Sequence, residues 1–199
     1  MPNISHITDQ IATGGDLPLH LGAAAMLADL REIQDSGVTH ILDNRLEWSD
    51  EQFVARHAPG VTYLHNGQDD IGQRMPDSWF DRGVAFALEA MRDPACVVLA
   101  HCHMGINRGP SMAYAILLAQ GRDPVDALTA IRAARPIAAI AYAGDALDWW
   151  HRRSGADLER VAAEQAAVAD WFTDHPLDVV RIIREVRESE RQLRLGVSA

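Results

Sequence analysis

The sequence predicts an α/β domain, with a central, mainly parallel sheet flanked by helices and a helical extension at its C-terminal end. Apolar runs of strand length alternate with amphipathic stretches of helix length through the first 152 residues, a pattern typical of βαβ units. The most apolar short run, 97–100, leads directly into a Gly-containing loop and then another helix pattern. From Ser154 onward the composition changes to two charge-rich helical patterns.

Each element of the first half is bounded by a turn or cap signal. A polar stretch ending in Gly14-Gly15 closes the first strand pair, and Gly37 is a good stop for the first long helix. The acidic residue Asp77 suits the positive end of the helix that follows Pro76. The predicted elements are a strand pair over 4–12, a helix over 19–36, strands over 38–42 and 61–65, and a helix over 76–92.

The second half begins with the buried strand and continues in helices. Asp123-Pro124 is a strong helix start, with Asp as cap and Pro in the first turn. Arg132 and Arg135 either reach toward the site or are solvated on the face of that helix, and we expect solvation. The predicted elements are a strand over 97–100 and helices over 109–120, 124–135, 138–152, 157–171 and 176–195.

The two C-terminal helices are amphipathic, with Arg and Glu around apolar stripes. We expect them to pack back onto the domain. The alternatives are a homodimer contact and a docking arm for a partner.

Composition excludes several classes of partner. The net charge of -10 disfavours a general affinity for nucleic acid or for anionic membrane. All 18 basic residues are Arg, which indicates the coding bias of a GC-rich genome and a bacterial or phage origin. The sequence has neither an apolar span of membrane length nor a signal peptide, so we expect a soluble cytoplasmic protein.

The two cysteines, Cys96 and Cys102, fit neither a metal-ligand pair nor a disulfide framework. They lie at opposite ends of one extended run, about 20 Å apart at the rise of a β-strand. Cys96 is therefore expected to be a small core residue.

The segment 101–108 joins a strand end to a helix N-terminus, where backbone amides and the helix dipole favour an anion. The same amides stabilise a thiolate, which makes Cys102 the predicted nucleophile. Arg108 offers a rigid fork for two phosphoryl oxygens, and Gly105 suits a turn that needs a positive φ. The alternative is a buried thiol beside a surface Arg. It does not explain why strand, His, Gly and helix occur together.

Segment 101–108 resembles the His-Cys-x-x-Gly-x-x-Arg signature of the protein tyrosine phosphatases, and its surroundings resemble the dual-specificity branch most closely. Segments 37–43, 79–82 and 127–135 are similar to that family in order and spacing. The resemblance implies a cysteine phosphatase fold, with residues 1–153 as the catalytic domain and 154–199 as a helical extension. It also implies hydrolysis of phosphate monoesters without a metal or a cofactor.

The resemblance assigns a role to each residue of this loop. Cys102 attacks phosphorus to form a cysteinyl-phosphate, and Arg108 and the loop amides hold the phosphoryl oxygens. His101 is expected to hydrogen-bond within the loop and tune Cys102. The phosphate-binding residues are His103, Met104, Gly105, Ile106, Asn107 and Arg108.

A general acid must protonate the departing oxygen, and the polar loop 66–76 carries two candidates. Asp70 falls where the resembling phosphatases carry this acid, and the adjacent Asp69 is the alternative. It also remains open whether both are ordinary loop carboxylates. The segment 43–47 should leave the ligand-binding edge of the sheet, with Arg45 and Glu47 either at the rim of the site or in a solvated loop.

One position departs from the family pattern. The residue after the Arg is usually Ser or Thr, whose hydroxyl steadies the thiolate as it leaves; here it is Gly109. Either Ser111 serves instead or the second step is slow.

The lack of permanent charge in the loop side chains favours phosphotyrosine or phosphoserine/threonine on a protein as substrate. A small phosphate ester and a catalytically silent phospho-binding module are the alternatives. Sulfurtransferases and arsenate reductases also use a loop Cys, but the latter need resolving thiols that Cys96 cannot supply within one chain.

Overall fold

The computed structural model describes residues 3–194 and has the predicted α/β architecture. Five strands form one sheet in the order β1-β2-β5-β3-β4, in which only the β1–β2 pair is antiparallel. The strands are β1 Ile4–His6, β2 Ile11–Gly14, β3 His40–Arg45, β4 Thr62–Gln68 and β5 Val98–His101. The helices are α1 Ala23–Asp35, α2 Glu51–His57, α3 Asp77–Ala90, α4 Arg108–Ala119, α5 Pro124–Ala134, α6 Ala143–Ser154, α7 Leu158–Asp174 and α8 Val179–Arg194.

Strand β5 lies at the centre of the sheet because its side chains are apolar on both faces. Val98 and Ala100 pack into the cluster formed with α3, α4 and α6. Val97 and Leu99 pack into the opposite cluster, formed mainly with α1 and α2. This alternation follows from the two-residue period of a strand buried on both sides. Because β5 is the central strand, its C-terminal end, and Cys102 directly after it, lie in the middle of the carboxyl edge of the sheet.

Helix α4 is the central helix of the larger cluster. Its residues from Arg108 to Leu118 are all buried, and it packs against α3, α5 and α6. Helix α5 begins as the sequence predicts, with the Asp123 carboxylate accepting from the amides of Val125 and Asp126. The packing of α4 against these three helices holds its first turn in place next to the loop that precedes it.

The two helices of the extension are placed differently. Helix α7 packs against α5 and α6 and buries Val168 and Trp171 in the main core. Trp171 Nε1 donates a hydrogen bond to Thr129 Oγ1 of α5 at 3.0 Å. This is the packing that the sequence predicts. Helix α8 buries none of its described side chains fully, and it lies across the carboxyl edge of the sheet near a short 3-10 helix, Leu19–Leu21. Between residues 3 and 194 no helix is both long and apolar enough to cross a bilayer.

One helix was missed, and the start of another was predicted too early. Helix α2 was not predicted. Helix α6 begins at Ala143 rather than at 138, because residues 138–142 form a turn in which Ile140 has a φ of 55°. A positive φ is costly for a β-branched residue, so tertiary contacts hold this turn.

The prediction for Arg45, at the rim or in a solvated loop, was wrong. Strand β3 continues through Arg45 and buries its guanidinium completely. Its nitrogens lie 2.8 Å from Asp43, 2.7 Å from Asp50 and 3.0 Å from Asp16. Burial alone would raise the pKa of Asp43, but the charge of His101, the hydrogen bonds and charge of Arg45 and the hydrogen bond from Tyr63 together lower that pKa to about 2. Arg45 is thus the cation that makes three buried or nearly buried carboxylates tolerable.

We expect Arg45→Met to lower the free energy of unfolding by about 3–5 kcal/mol, because three carboxylates then lose their buried cation. Urea denaturation measures the change. Arg92→Met is the matched control, since Arg92 pairs with Glu89 at the exposed end of α3 and should cost less than about 1 kcal/mol. Equal losses in the two variants would contradict this account of the cluster.

Candidate active site

The loop between β5 and α4 is held so that its carbonyl groups face outward. The His103 carbonyl oxygen accepts from the Asp16 amide at 3.0 Å, and that of Ile106 accepts from the Ala139 amide at 2.7 Å. The N–H and C=O groups of a peptide unit point in opposite directions, so the amides face the inside of the loop. Within the described chain, none of the amides of residues 103–108 donates to another protein group. The loop is therefore a cradle of free donors for an anion.

Arg135 completes this arrangement from behind, so the prediction that it is solvated was wrong. Its side chain is buried and donates to the carbonyl oxygens of Met104, at 2.9 Å, and Gly105, at 2.5 Å. Burial lowers the pKa of Arg135, and the nearby Cys102 opposes that change. The guanidinium thus orients two peptide units and adds positive charge near the sulfur. Arg132 is half-buried instead, with its guanidinium over the Trp171 ring.

Gly105 has a φ of 65°, the positive value that the sequence predicts. A Cβ at this position would lie 2.4 Å from the Gly14 carbonyl carbon and 2.5 Å from Arg135 Nη2. Glycine is therefore required both by the turn and by the close approach of β2.

Cys102 lies directly after β5, with its amide 3.3 Å from the Gly14 carbonyl oxygen and its side chain almost completely buried. It lies at the bottom of a cleft of about 320 Å³. Cys96, at the other end of the run, is a buried free thiol whose sulfur lies 3.3 Å from His40 Nδ1. The cleft lining comprises Glu47, Asp70, Cys102, His103, Met104, Ile106, Asn107, Arg108, Ala139, Ala141, Val179, Ile183 and Arg187.

Arg108 is buried in the cleft wall, and one edge of its guanidinium makes no hydrogen bond within the described chain. Nη1 and Nη2 donate to the two carboxylate oxygens of Glu47, at 2.8 and 2.7 Å, and Nη1 also reaches the Gln68 carbonyl oxygen at 2.7 Å. Nε is buried without a hydrogen-bond partner within the described chain. The edge formed by Nε and the second Nη2 hydrogen therefore remains for two oxygens of an anion.

Glu47 and Arg108 each shift the pKa of the other. Burial works against the charge of Arg108, yet the Glu47 carboxylate raises the pKa of Arg108 overall. The hydrogen bonds from Arg108 lower the pKa of Glu47. Glu47 is thus one of the two rim candidates that the structure places in the site, and it fixes the plane of the guanidinium.

Asp70 and Asp69 differ in position, although they are adjacent in sequence. The Asp70 carboxylate lines the cleft: Oδ2 lies 3.4 Å from Arg108 Nε, and Oδ1 accepts from Asn107 Nδ2 at 2.6 Å. Asp69 is exposed and lies outside the cleft lining. Its carbonyl oxygen accepts from Gln73 Nε2 at 2.6 Å. Of the two candidate acids, Asp70 is the one within reach of a group bound at Arg108.

Tyr142 is a site residue that the sequence analysis missed. Its hydroxyl donates to Asp70 Oδ1 at 2.8 Å. Burial, together with the hydrogen bond to Asp70, raises the pKa of Tyr142 to about 12, so it stays a donor. The turn 138–142 also binds the Asn107 side chain, because the Ala141 amide donates to Asn107 Oδ1 at 2.7 Å. No sequence spacing links this turn to Asp70, so no local signal indicates the contact.

The two histidines of the loop have different surroundings. His101 is buried, and its ring faces Asp43, with Nε2 3.6 Å from Oδ1, while Nδ1 has no hydrogen-bond partner within the described chain. The hydrogen bond expected between His101 and the loop is thus absent. Burial lowers the pKa of His101. The His103 ring instead hydrogen-bonds Asp16 Oδ2 at 2.9 Å, which raises the pKa of His103.

The surroundings of Gly109 and Ser111 bear on the departure from the family pattern, which is the missing hydroxyl after Arg108. A Cβ at Gly109 would lie 2.7 Å from the Ala100 carbonyl oxygen, so the close packing of α4 on β5 excludes a larger residue. The Ser111 hydroxyl is buried between Asn107 Oδ1, 3.4 Å away, and the Tyr142 amide, 3.3 Å away. Ser111 therefore bonds Asn107 and Tyr142, the two residues that hold Asp70. It does not replace the missing hydroxyl beside the sulfur, contrary to the suggestion from the sequence.

The comparisons with solved structures agree with this fold. A structure of PTPMT1 in complex with PI(5)P superposes with a TM-score of 0.61 at 17% identity, covering 77% of this chain and 97% of that one. Human DUSP28 gives 0.59 at 16%, covering 77% and 97%. Tk-PTP in its active form gives 0.59 at 20%, covering 76% and 98%. The chain therefore has the dual-specificity phosphatase fold that the resemblance predicts. No protein-family model matches the sequence.

The described residues contain no group of three or more His, Cys, Asp or Glu side chains arranged to hold a metal ion.

We expect Gly105→Ala to abolish binding of tungstate, an oxyanion of phosphate shape, because the new methyl group displaces the loop or Arg135. Calorimetry measures the affinity, and circular dichroism verifies the fold. Gly144→Ala is the matched control: a Cβ there meets nothing within 4 Å, so we expect unchanged binding and about 0.5–1 kcal/mol of added helix stability. Undiminished tungstate binding by Gly105→Ala would contradict the role given to the loop.

Proposed function

We propose that this chain is a phosphate monoester hydrolase that works through a cysteinyl-phosphate at Cys102. The observation that carries the proposal is the set of free donors around one sulfur. The amides of residues 103–108 face the loop interior, and Arg108, whose Nε makes no hydrogen bond within the described chain, lines the same cleft. A tetrahedral phosphoryl group held by these donors would have its phosphorus next to Cys102.

The first step transfers the phosphoryl group to sulfur. The Cys102 thiolate attacks phosphorus, and the bond between phosphorus and the ester oxygen breaks opposite the sulfur. Protonated Asp70 gives its proton to the departing oxygen, so the alcohol or phenol leaves neutral. Loop amides and the free edge of Arg108 stabilise the negative charge on the three equatorial oxygens.

The second step returns the enzyme to its starting state. Water attacks the phosphorus of the cysteinyl-phosphate and gives a proton to the Asp70 carboxylate. The bond between sulfur and phosphorus breaks, which releases orthophosphate and the thiolate. Asn107 and Tyr142 hold Asp70 through both steps, because each donates to its Oδ1 and leaves Oδ2 directed toward Arg108.

Three observations support hydrolysis over silent phosphate binding. The nucleophile, the guanidinium and the candidate acid line one cleft. Asn107 and Tyr142 orient Asp70, an arrangement that a binding module does not need. Asp70 also lies near enough to Arg108 Nε to reach a phosphate ester oxygen there.

For the substrate we propose phosphotyrosine or phosphoserine/threonine, with a small phosphate ester as the second candidate. The loop side chains of Met104, Ile106 and Asn107 carry no charge, which disfavours a polyphosphorylated head group. PTPMT1, which shares the fold, has been crystallised with PI(5)P, so a phosphoinositide belongs in the substrate panel. The cleft volume of about 320 Å³ suits one ring or side chain at a time.

We expect Cys102→Ser to show no hydrolysis of phenyl phosphate. Asp70→Asn should lower kcat by about 10²–10³ for this poor leaving group. The loss should be smaller for p-nitrophenyl phosphate, whose leaving group needs less protonation. Steady-state kinetics across the two esters measures both effects.

Asp69→Asn is the matched control and should retain kcat within about twofold, because Asp69 lies outside the cleft. A larger loss in Asp69→Asn than in Asp70→Asn would show that the acid is Asp69. Hydrolysis by Cys102→Ser at the wild-type rate would overturn the proposed function.

We further expect a burst of p-nitrophenol equal to the enzyme concentration, followed by slower turnover. The reason is that no hydroxyl at position 109 or 111 steadies the leaving thiolate in the second step. Stopped-flow absorbance measures the burst, and acid quenching should trap phosphate on Cys102. A single phase without trapped phosphate would show that breakdown of the intermediate is not slow.

A further inference from the structure

Helix α8 forms one wall of the cleft that contains Cys102. Val179, Ile183 and Arg187 all line this cleft. They are four residues apart, so they share one face of the helix. The wall therefore combines two aliphatic side chains with one guanidinium.

The docked face of α8 continues beyond these three residues. The side chains of Ile182, Val186 and Glu190 are half-buried. The charge of Glu190 acts on His103 of the catalytic loop and helps to raise the pKa of His103. The helix thus lies along the cleft over about three turns, and its apolar stripe faces the site.

The charges of the cleft make Arg187 distinctive. Glu47 already neutralises Arg108 through two hydrogen bonds, and Asp70 adds a further carboxylate. On α8, Arg181 pairs with Glu185 and Arg191 pairs with Glu188. Arg187 makes no ion pair within the described chain and is exposed in the cleft. It is therefore a cation in the cleft that is available to an anionic group of a ligand.

We propose that α8 selects the substrate: Val179 and Ile183 contact the apolar body of the leaving group, and Arg187 binds a second anionic group on it. The inference rests on the proposed function, because it describes the part of the substrate that departs from phosphorus. The oxygens of the reacting phosphoryl group are already matched by the loop amides and by the free edge of Arg108. A guanidinium on a separate wall is thus available for a carboxylate or phosphate elsewhere in the substrate.

The test compares two aryl phosphates that differ by one anionic group, phenyl phosphate and 4-carboxyphenyl phosphate. We expect Arg187→Gln to lower kcat/KM about tenfold for the carboxylated ester, a factor that corresponds to about 1.4 kcal/mol. The loss should appear in KM rather than kcat. The plain ester should change by less than about twofold, since its reacting phosphoryl group does not need Arg187.

Arg184→Gln is the matched control. Arg184 is exposed on α8 outside the cleft lining and makes no ion pair among the described residues, so this change removes the same charge from the same helix. We expect it to leave both esters unchanged. Equal losses for the two esters in Arg187→Gln, or the same discrimination in Arg184→Gln, would overturn the inference.

A second arm identifies the source of the anion. Phosphotyrosine peptides with Asp or Asn beside the phosphotyrosine replace the aryl esters. A selective loss for the Asp peptide in Arg187→Gln assigns the anion to a peptide carboxylate, and a loss confined to the carboxylated aryl ester assigns it to a small molecule. If the wild-type enzyme hydrolyses none of these compounds, the proposed function itself fails. If the wild-type enzyme hydrolyses them and Arg187→Gln does not discriminate between them, only the inference about α8 fails.

Discussion

The site depends on one constraint: the carbonyl groups of residues 103–106, in the loop between β5 and α4, are bonded from outside the loop. Buried peptide groups need partners, and here the partners come from three distant segments. The Asp16 amide binds His103, the Ala139 amide binds Ile106, and Arg135 binds the two carbonyls between them. Since these four carbonyls are bonded on the outer side, the amides of their peptide units are left to face the inner side. The inward orientation of these amides is thus a consequence of how the loop is packed.

The same constraint links the loop to the charged interior of the sheet. Asp16 binds His103 through both its amide and its carboxylate, and that carboxylate also pairs with the buried Arg45. Arg45 in turn holds Asp43 and Asp50. The position of the loop is therefore tied to an ion cluster that would be costly to break. Rigid placement of this kind suits a site whose donors must already be oriented when charge develops.

The cleft above the loop brings together segments that have no local relationship. Asp70 follows β4, Tyr142 ends the turn before α6, and Asn107 lies between them at the start of α4. Helix α8 then closes one side with an apolar face and a free guanidinium. In the proposed function, the core fold supplies the phosphate site, and the extension contributes to the surroundings of the group to which the phosphate is attached.

The sequence by itself determined what depends on near neighbours: the strand, loop and helix around Cys102 and Arg108, the positive φ of Gly105, and the cap at Asp123. These features follow from backbone sterics and from hydrogen bonds over a few residues, which a short segment specifies. Only the tertiary structure decided that Arg135 is buried behind the loop, that Tyr142 holds Asp70, and that the Ser111 hydroxyl accepts from the Tyr142 amide. Those contacts join residues tens of positions apart, so they depend on how whole elements pack, which no local spacing records.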